Sequence, residues 1–287
     1  TKTPRGQNFQ RNAADTDNIT LLAKVQRWPE RTWDSLLQRA LYQSEKLHQA
    51  ASDSDGNLII VRNQATLNQL SDNLAPRDGR LLALLATEGL HPLEGKLDNL
   101  DRLYDAGFRI TGLTHEVGGS AHGWDKGGIT SFGRQVVQRL NEKNIIIDLA
   151  HASPALIDDV LSLTRKPVIV SHTGVQGTCP GPRNLSDAQL RAIGRNGGIV
   201  GIGFFEGALC AMTPHGIARA IRHAVSIAGI QHVALGSDFD GATRAVFDAR
   251  GMPLLTQALM DEGFNDQEIA DLMGHNVLRF LKNNLPP

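Results

Sequence analysis

Residues 145–151, IIIDLAH, and residues 168–172, VIVSH, decide the fold. Each stretch is a short apolar run that leads into a histidine, and the two histidines are 21 residues apart. That spacing fits one strand–helix–strand step, and an amphipathic segment, residues 154–163, lies between the two runs. The two stretches therefore predict neighbouring parallel strands with a polar side chain at the carboxyl end of each.

Similar apolar runs, bounded by Gly, Asp, Asn or Pro, recur from residue 58 onward. They predict strands at Leu58–Val61, Leu81–Ala86, Phe108–Leu113, Ile145–Leu149, Val168–Val170, Ile199–Phe204 and Val233–Gly236. Segments with apolar residues at every third or fourth position predict helices at Leu97–Ala106, Ser131–Glu142, Pro154–Leu163, Asp187–Asn196 and Pro214–Ala228. Residues 1–35 are polar without a clear period, and they predict an irregular surface segment that enters a helix near Trp33.

Polar residues at the strand ends decide between a doubly wound sheet and a closed barrel. One such residue follows each of five predicted strands: Glu88, His115, His151, His172 and Asp238. A TIM barrel gathers its strand ends at one mouth, so we predict an α/β fold, a (β/α)8 TIM-type barrel, as a single domain over residues 1–287. Six good strands remain when the marginal run Leu58–Val61 is omitted, whereas a barrel has eight. We therefore expect about two strands upstream of Thr1, where the chain also lacks an initiator methionine.

Composition excludes several classes of protein. Of the 287 residues, 41% are hydrophobic and 21% are charged, which is ordinary globular usage rather than that of a disordered chain or a coiled coil. Lys and Arg total 29 against 30 Asp and Glu, so we expect no nucleic-acid partner. No apolar run reaches the roughly 18 residues of a bilayer span, and we expect no transmembrane segment.

The strand-end residues Glu88, His151 and His172 offer one carboxylate and two imidazoles. A single strand-end histidine is more often structural, but two on adjacent strands together with a carboxylate favour a metal site. This ligand set suits a catalytic zinc with an open position. Asp238, in the Gly-flanked turn after the last strand, could accept a proton from a metal-bound water, with a turn-capping aspartate as the alternative.

Neighbouring residues have structural interpretations. Asp240 points away from Asp238 by alternation and shapes the loop. His115 could cap the core, and for His91 the structural interpretation is favoured over a place beside the ligands.

In order and at compatible spacing, these blocks resemble the membrane (renal) dipeptidase family, a binuclear zinc branch of the amidohydrolase superfamily. The resemblance covers roughly residue 40 to the end of the chain. It rests on EG at 88–89 with His91, LTH at 113–115, IDLAH at 147–151, VIVSH at 168–172, RN at 183–184, GSDFDG at 236–241 and GHNVLR at 274–279.

The resemblance implies a zinc-dependent dipeptidase that cleaves dipeptides with a free C-terminal carboxylate by attack of a metal-bridging hydroxide. In that family pattern Glu88 bridges two zinc ions, and His151 and His172 are the remaining ligands of one of them. Two cations held about 3.5–4 Å apart can polarise a peptide carbonyl.

The resemblance also assigns roles around the substrate. His115 would contact the substrate carbonyl and stabilise the oxyanion. Arg183 would pair with the terminal carboxylate, for which a planar guanidinium is a bidentate match. Asp238 would be the general base and then the general acid.

One part of the family pattern is absent from the chain. The family begins with a strand that ends in His-x-Asp, the other ligands of the first zinc, and no His-x-Asp occurs in this sequence. We expect the pair upstream of Thr1, together with the two missing strands. The expectation is then two zinc ions per subunit in the complete protein and one or none in this chain. The alternatives are a single-zinc hydrolase, a related amidohydrolase acting on a lactone, phosphoester or N-acyl amino acid, and a non-catalytic carboxylate-binding barrel.

The two cysteines, Cys179 and Cys210, are the last feature of note. Their number alone suggests reduced thiols in a cytosolic enzyme. Members of the resembled family from oxidising compartments carry a disulfide between these two loops, so the resemblance implies a Cys179–Cys210 disulfide. It favours a periplasmic or secreted location, with the cytoplasm as the alternative, and we also expect a homodimer.

Overall fold

The computed structural model describes residues 18–71, 79–114, 117–119, 127–239, 241 and 243–287. Its strands in these ranges are β1 Leu58–Ile60, β2 Leu81–Ala83, β3 Leu85–Thr87, β4 Phe108–Gly112, β5 Ile146–Asp148, β6 Ile169–Thr173, β7 Ile199–Ile202 and β8 Val233–Leu235. Its α-helices there are α1 Asn18–Val25, α2 Leu36–Ser52, α3 Gln64–Ser71, α4 Asp98–Asp105, α5 Ser131–Lys143, α6 Pro154–Leu163, α7 Asp187–Asn196, α8 Pro214–Ala228, α9 Met252–Asp261, α10 Asp266–Ala270 and α11 Asn276–Asn284. Shorter helical turns lie at Glu30–Thr32, His91–Leu93, Ile230–His232, Ala249–Gly251 and Asp271–His275.

The strands form two parallel sheets. Strands β3 to β8 make a six-stranded sheet in chain order, and β1 pairs with β2 in a separate two-stranded sheet. In the part of the chain that the structure describes, backbone hydrogen bonds do not close the larger sheet on itself. Parallel strands in chain order with helices between them confirm the α/β, TIM-type architecture.

The predicted strand at Leu81–Ala86 is wrong in one respect, because the run contains two strands. Its first half, β2, pairs with β1, and its second half, β3, pairs with β4. Leu84 lies between them and packs against the apolar cluster at the amino ends of the strands. The run Leu58–Val61, which the sequence left as marginal, forms β1.

Three helices have the bounds predicted from sequence. Each of α6, α7 and α8 follows a Ser or Thr whose side chain accepts a hydrogen bond from a backbone N–H of the first turn: Ser153, Ser186 and Thr213. The irregular segment predicted over residues 1–35 is wrong for Asn18–Val25, which is helix α1. Most of the apolar side chains described in α1 are exposed, so this helix is not marked by an apolar face packed on the core.

An apolar cluster, here called the floor cluster, fills the amino ends of the strands of the six-stranded sheet. It consists of Val61, Leu67, Ile146, Ile199, Ala234, Phe280, Leu281 and Leu285. Strand residues therefore pack directly on α11, and Gln64 ties the chain end in place by hydrogen bonds from its backbone N–H to the carbonyl of Pro286 and from its side chain to that of Leu285. Polar groups are left to the opposite, carboxyl ends of the strands.

A second, larger core lies between the six-stranded sheet and the helices that cover it. The helices of the described ranges are all too short or too polar to cross a membrane.

Candidate active site

The structure brings Glu88, His151 and His172 together at the carboxyl ends of three strands. Glu88 follows β3, His151 follows β5, and His172 lies in β6. One ligand atom from each, the Glu88 carboxylate oxygen and a ring nitrogen of each histidine, lies within 4.8 Å of the other two. These three residues are called the mouth group below.

The distances within the mouth group are short. His151 Nε2 lies 2.5 Å from Glu88 Oε1 and 2.8 Å from His172 Nε2. The third separation, from His172 Nε2 to Glu88 Oε1, is 3.5 Å. The two imidazole rings meet edge to face, with centroids 4.8 Å apart. All three donor atoms therefore face one common point.

Two glycines let the Glu88 segment approach the neighbouring strand. Gly89 has φ +100°, a conformation that other residues rarely adopt. Gly112, at the end of β4, has no side chain, and a Cβ atom there would lie 2.7 Å from the Gly89 nitrogen. Below this contact the hydroxyls of Thr87 and Thr111 share a buried 2.6 Å hydrogen bond that holds β3 against β4.

The two histidines are held by the ends of β5 and β6. Asp148, the last residue of β5, is buried, and its Oδ1 accepts hydrogen bonds from the backbone N–H groups of Ala150 and Ser171. His151 has φ +65°, in the left-handed region. The ring of His172 is hydrogen-bonded through Nδ1 to Ser171 Oγ at 2.9 Å, which leaves Nε2 facing the mouth group.

Arg183 lies beside the mouth group, in the loop after β6. Its Nη2 donates a 2.9 Å hydrogen bond to the backbone carbonyl of His172, and its guanidinium lies 5.5 Å from the ring centre of Phe205. Burial lowers the pKa of Arg183, whereas the nearby carboxylates of Asp238, Asp148 and Glu88 favour its charged form. An arginine keeps its charge under such opposing effects, so the mouth carries a partly buried cation.

Asp238 follows β8 and has φ +57°. Its carboxylate lies against Gly241, since a Cβ atom there would be 2.2 Å from Asp238 Oδ1. The backbone N–H of Phe239 donates to Ser237 Oγ, and that of Gly241 to the Asp238 backbone carbonyl. Turn capping of these two N–H groups by the Asp238 side chain is therefore not observed. The carboxylate is not part of the three-donor mouth group.

Other candidates lie outside the mouth group or outside the described residues. His115 and Asp240 fall outside the described residues. His91 begins the helical turn after β3, and its ring packs beside Gly89. Its structural interpretation stays a prediction.

Sequence reasoning did not identify Asp148, Ser171 or Phe205 as parts of the site. For Asp148 a signal was present, because a carboxylate interrupts the apolar stretch IIIDLAH. A buried carboxylate needs hydrogen-bond donors, which predicts a local structural function. Ser171 and Phe205 leave no such signal, because their contacts depend on how strands and loops meet.

The mouth group is suited to a metal ion. Ligand bonds of about 2.0–2.2 Å in tetrahedral geometry place neighbouring donors about 3.3–3.6 Å apart, so small outward movements of the three donors would accommodate zinc. Hydrogen bonds from His151 and then His172 hold the pKa of Glu88 far below its usual range, so its carboxylate is anionic. The Glu88 side chain is 64% exposed, which leaves the group open to solvent. Within the described residues it is the one cluster of three such donors.

The disulfide expected from the resemblance is confirmed: Cys179 and Cys210 are bonded, with Cα atoms 5.1 Å apart. The bond links the loop after β6 to the loop after β7. The buried side chain of Asn184 reinforces the link, because its Nδ2 donates to the carbonyls of Cys179 and Gly207. The segment that carries Arg183 is therefore held at both sides.

A comparison with protein-family models matches residues 7–285 to the membrane dipeptidase family, peptidase family M19. The chain belongs to this family. The resemblance inferred from the sequence is thereby confirmed, and the protein is an enzyme of the metallopeptidase class.

Curated relatives support the assignment. The chain is 32% identical over 257 residues to an uncharacterized protein encoded in the pqqA 5′ region of Klebsiella pneumoniae, covering 83% of this chain and 93% of that protein. It is also 32% identical over 216 residues to the dipeptidase verJ of Clonostachys rogersoniana, a match that covers 71% of this chain and only 56% of that dipeptidase.

Among solved structures, one similar protein is a metallopeptidase of Rhodobacter sphaeroides, solved with a phosphinate mimic of the dipeptide L-Ala-D-Ala. It superposes with a TM-score of 0.74 at 26% identity, over 84% of this chain and 72% of that chain.

Proposed function

We propose that the protein is a zinc-dependent dipeptidase that hydrolyses dipeptides with a free C-terminal carboxylate. The observation that carries the proposal is the convergence of Glu88, His151 and His172 at the mouth, beside the cation of Arg183. The family assignment and the dipeptidase name of a relative support the same reaction.

Glu88, His151 and His172 would hold the metal ion. One carboxylate and two imidazoles are ligands that zinc prefers, and the solvent-facing side of the mouth group leaves a position for water or substrate. A bound zinc would polarise the peptide carbonyl and make water more acidic. In the two-zinc form, Glu88 would serve both ions.

Arg183 is proposed to bind the C-terminal carboxylate of the substrate. A guanidinium has five N–H donors, and the hydrogen bond to the His172 carbonyl uses one of them. The contact with Phe205 and the partial burial fix the orientation of the group. A fixed planar donor pair at this place would align the peptide bond with the mouth group.

Asp238 is proposed as the general base and acid. Its carboxylate would take a proton from the attacking water and return it to the amine nitrogen as the C–N bond breaks. Of the described backbone donors of its turn, the N–H of Phe239 donates to Ser237 Oγ and that of Gly241 to the Asp238 carbonyl, so neither occupies the carboxylate. His115 is proposed to stabilise the negative charge that develops on the carbonyl oxygen.

The location and assembly of the protein are also proposals. A disulfide persists in oxidising compartments, so Cys179–Cys210 supports a periplasmic or secreted location. The homodimer expected from the sequence stays a prediction that the molecular mass in solution would test.

The test compares dipeptides with their C-terminal amides. The purified protein should retain zinc, cleave the dipeptides and act poorly on the amides. Arg183→Lys should raise KM for dipeptides by about 10–100-fold, the loss of roughly one to two charged hydrogen bonds, and leave the zinc content unchanged. Phe239→Leu, at an exposed position of the same mouth, is the control.

Two outcomes would contradict the proposal. Protein that holds no zinc and gains none on dialysis would favour a non-catalytic carboxylate-binding barrel. Zinc-loaded protein that cleaves the amides as fast as the dipeptides would favour a related amidohydrolase with another substrate.

A further inference from the structure

Asp148 is a buried carboxylate that stands at the mouth but outside the mouth group. It is the last residue of β5 and is 8% exposed. Two residues, Leu149 and Ala150, separate it from His151, and its partner strand β6 contains His172. Its side chain contacts the residue that precedes each of these two histidines.

A single oxygen of Asp148 ties two backbone segments together. Oδ1 accepts from the N–H of Ala150 at 2.9 Å and from the N–H of Ser171 at 2.9 Å. Ala150 directly precedes His151, and Ser171 directly precedes His172. The atom therefore fixes the separation of the two backbones one residue before each histidine.

The backbone ladder alone does not hold this part of the sheet. Strands β5 and β6 have one register pair, Asp148 with Ile169, whereas β4 with β5 and β7 with β8 have three each. Beyond this pair the backbone N–H of Leu149 donates to the Ile169 carbonyl, and the next donor of β6, on Ser171, goes to the Asp148 side chain. The Asp148 side chain thus replaces the backbone hydrogen bonds between β5 and β6 just before the two histidines.

Two further features connect Asp148 to the histidine rings. His151 has φ +65°, a strained conformation that persists only where its surroundings impose it, and the Asp148–Ala150 hydrogen bond constrains the preceding residue. On the other strand, Ser171 receives the Asp148 contact on its N–H and holds the His172 ring through its hydroxyl.

We propose that Asp148 is a positioning residue that preassembles the mouth group, setting the backbone of His151 through Ala150 and the backbone and ring of His172 through Ser171. The proposal rests on the proposed metal-binding function. The effect acts through hydrogen-bond acceptance, so an amide oxygen at the same place should replace the carboxylate.

The test measures zinc affinity of the metal-free protein by competition with a chromogenic chelator. Asp148→Ala should weaken zinc binding by about 10–100-fold, the usual effect of removing a residue that orients metal ligands. Asp148→Asn keeps the accepting oxygen and should bind zinc nearly as well as the unaltered protein. Ser171→Ala, which removes the ring contact alone, should lie between the two.

Asn276→Ala is the matched control. Asn276 is also buried and also bridges two backbone groups, the carbonyls of Ile230 and Val233, but at the amino end of β8. The Asn276→Ala substitution should lower the free energy of unfolding without changing zinc affinity. Hydrogen exchange of the metal-free protein should show faster exchange at Ala150 and Ser171 in Asp148→Ala and not in Asp148→Asn.

The proposal is overturned if Asp148→Ala binds zinc as tightly as Asn276→Ala. It is also overturned if Asp148→Asn is as weak as Asp148→Ala, because the carboxylate would then act by charge. If Asp148→Ala does not fold, Asp148→Asn and Ser171→Ala decide by the same criteria. Unaltered protein that binds no zinc would instead contradict the proposed function, which separates the two failures.

Discussion

The two ends of the parallel strands are filled in opposite ways. At the amino ends the floor cluster packs strand residues such as Ile146 and Ile199 against Phe280 of the last helix. At the carboxyl ends the mouth group places a carboxylate and two imidazoles within hydrogen-bonding distance of each other. The floor is an apolar core, whereas the polar groups of the mouth are held in place by specific hydrogen bonds.

The backbone at the mouth adopts unfavourable conformations at two of the residues that matter for the site. His151 and Asp238, both just beyond a strand at the mouth, adopt left-handed φ values without being glycine. Such residues cost free energy and persist where their surroundings impose them. At the other end of β5, Asn144 is also left-handed, but there it ends helix α5. In a barrel of this type, the floor is expected to supply stability and the mouth chemistry. The following changes test that division.

The largest expected effect is at the mouth. Asp238→Asn keeps the shape of the side chain and removes the proposed base, so kcat for a dipeptide should fall by roughly 10²–10⁴-fold. Zinc content and the unfolding midpoint in urea should stay near those of the unaltered protein. Asp248→Asn, an exposed aspartate later in the same loop, is the control. Near-normal turnover by Asp238→Asn would contradict the assignment and leave His115 as the next candidate.

The second change is at the floor. Phe280→Ala removes a ring that is 6% exposed and should lower the free energy of unfolding by about 3–5 kcal/mol. The zinc affinity of the fraction that stays folded should not change, because the mouth is at the other end of the strands. Urea unfolding and chelator competition measure the two quantities. Met260→Ala, at an exposed apolar position, should change stability by less than about 0.5 kcal/mol. A loss of zinc affinity in Phe280→Ala would show that the two ends are coupled.

The third change tests whether the mouth also contributes stability. Cys210→Ala opens a disulfide whose cysteines are 31 residues apart, and closing such a loop stabilises a fold by about 3–4 kcal/mol. Urea unfolding without reductant should show this loss. The double variant Cys179→Ala with Cys210→Ala should have the same free energy of unfolding as Cys210→Ala. Reductant should lower the free energy of unfolding of the unaltered protein to that value. A single variant as stable as the unaltered protein would contradict the prediction.

Local signals explain which parts of the fold could be predicted. Helices α6, α7 and α8 were predicted with their observed bounds because their apolar residues repeat with helical period, and the capping Ser or Thr before each one fixes the same start in the structure. The division of Leu81–Ala86 into β2 and β3 leaves no such signal. It arises from pairing with different partner strands, which is a tertiary effect.

The mouth shows the same limit. Glu88, His151 and His172 could be grouped from the sequence because each follows its own apolar run, and strand ends of a parallel sheet meet at one edge. The contacts of Asp148 with Ser171 depend on the register between β5 and β6, so neither residue was identified. The residues proposed to carry the chemistry could be named from the sequence, whereas those that hold them in place could not.

The disulfide has a topological consequence. Together with the backbone it makes a covalent ring that contains all of α7 and β7, one complete helix–strand unit of the barrel. A peptide bond cut anywhere inside that ring does not divide the molecule into two pieces. A protease that cleaves the exposed turn at Pro182 would therefore increase the mass of the molecule by only one water. The two fragments would separate only after the disulfide is reduced.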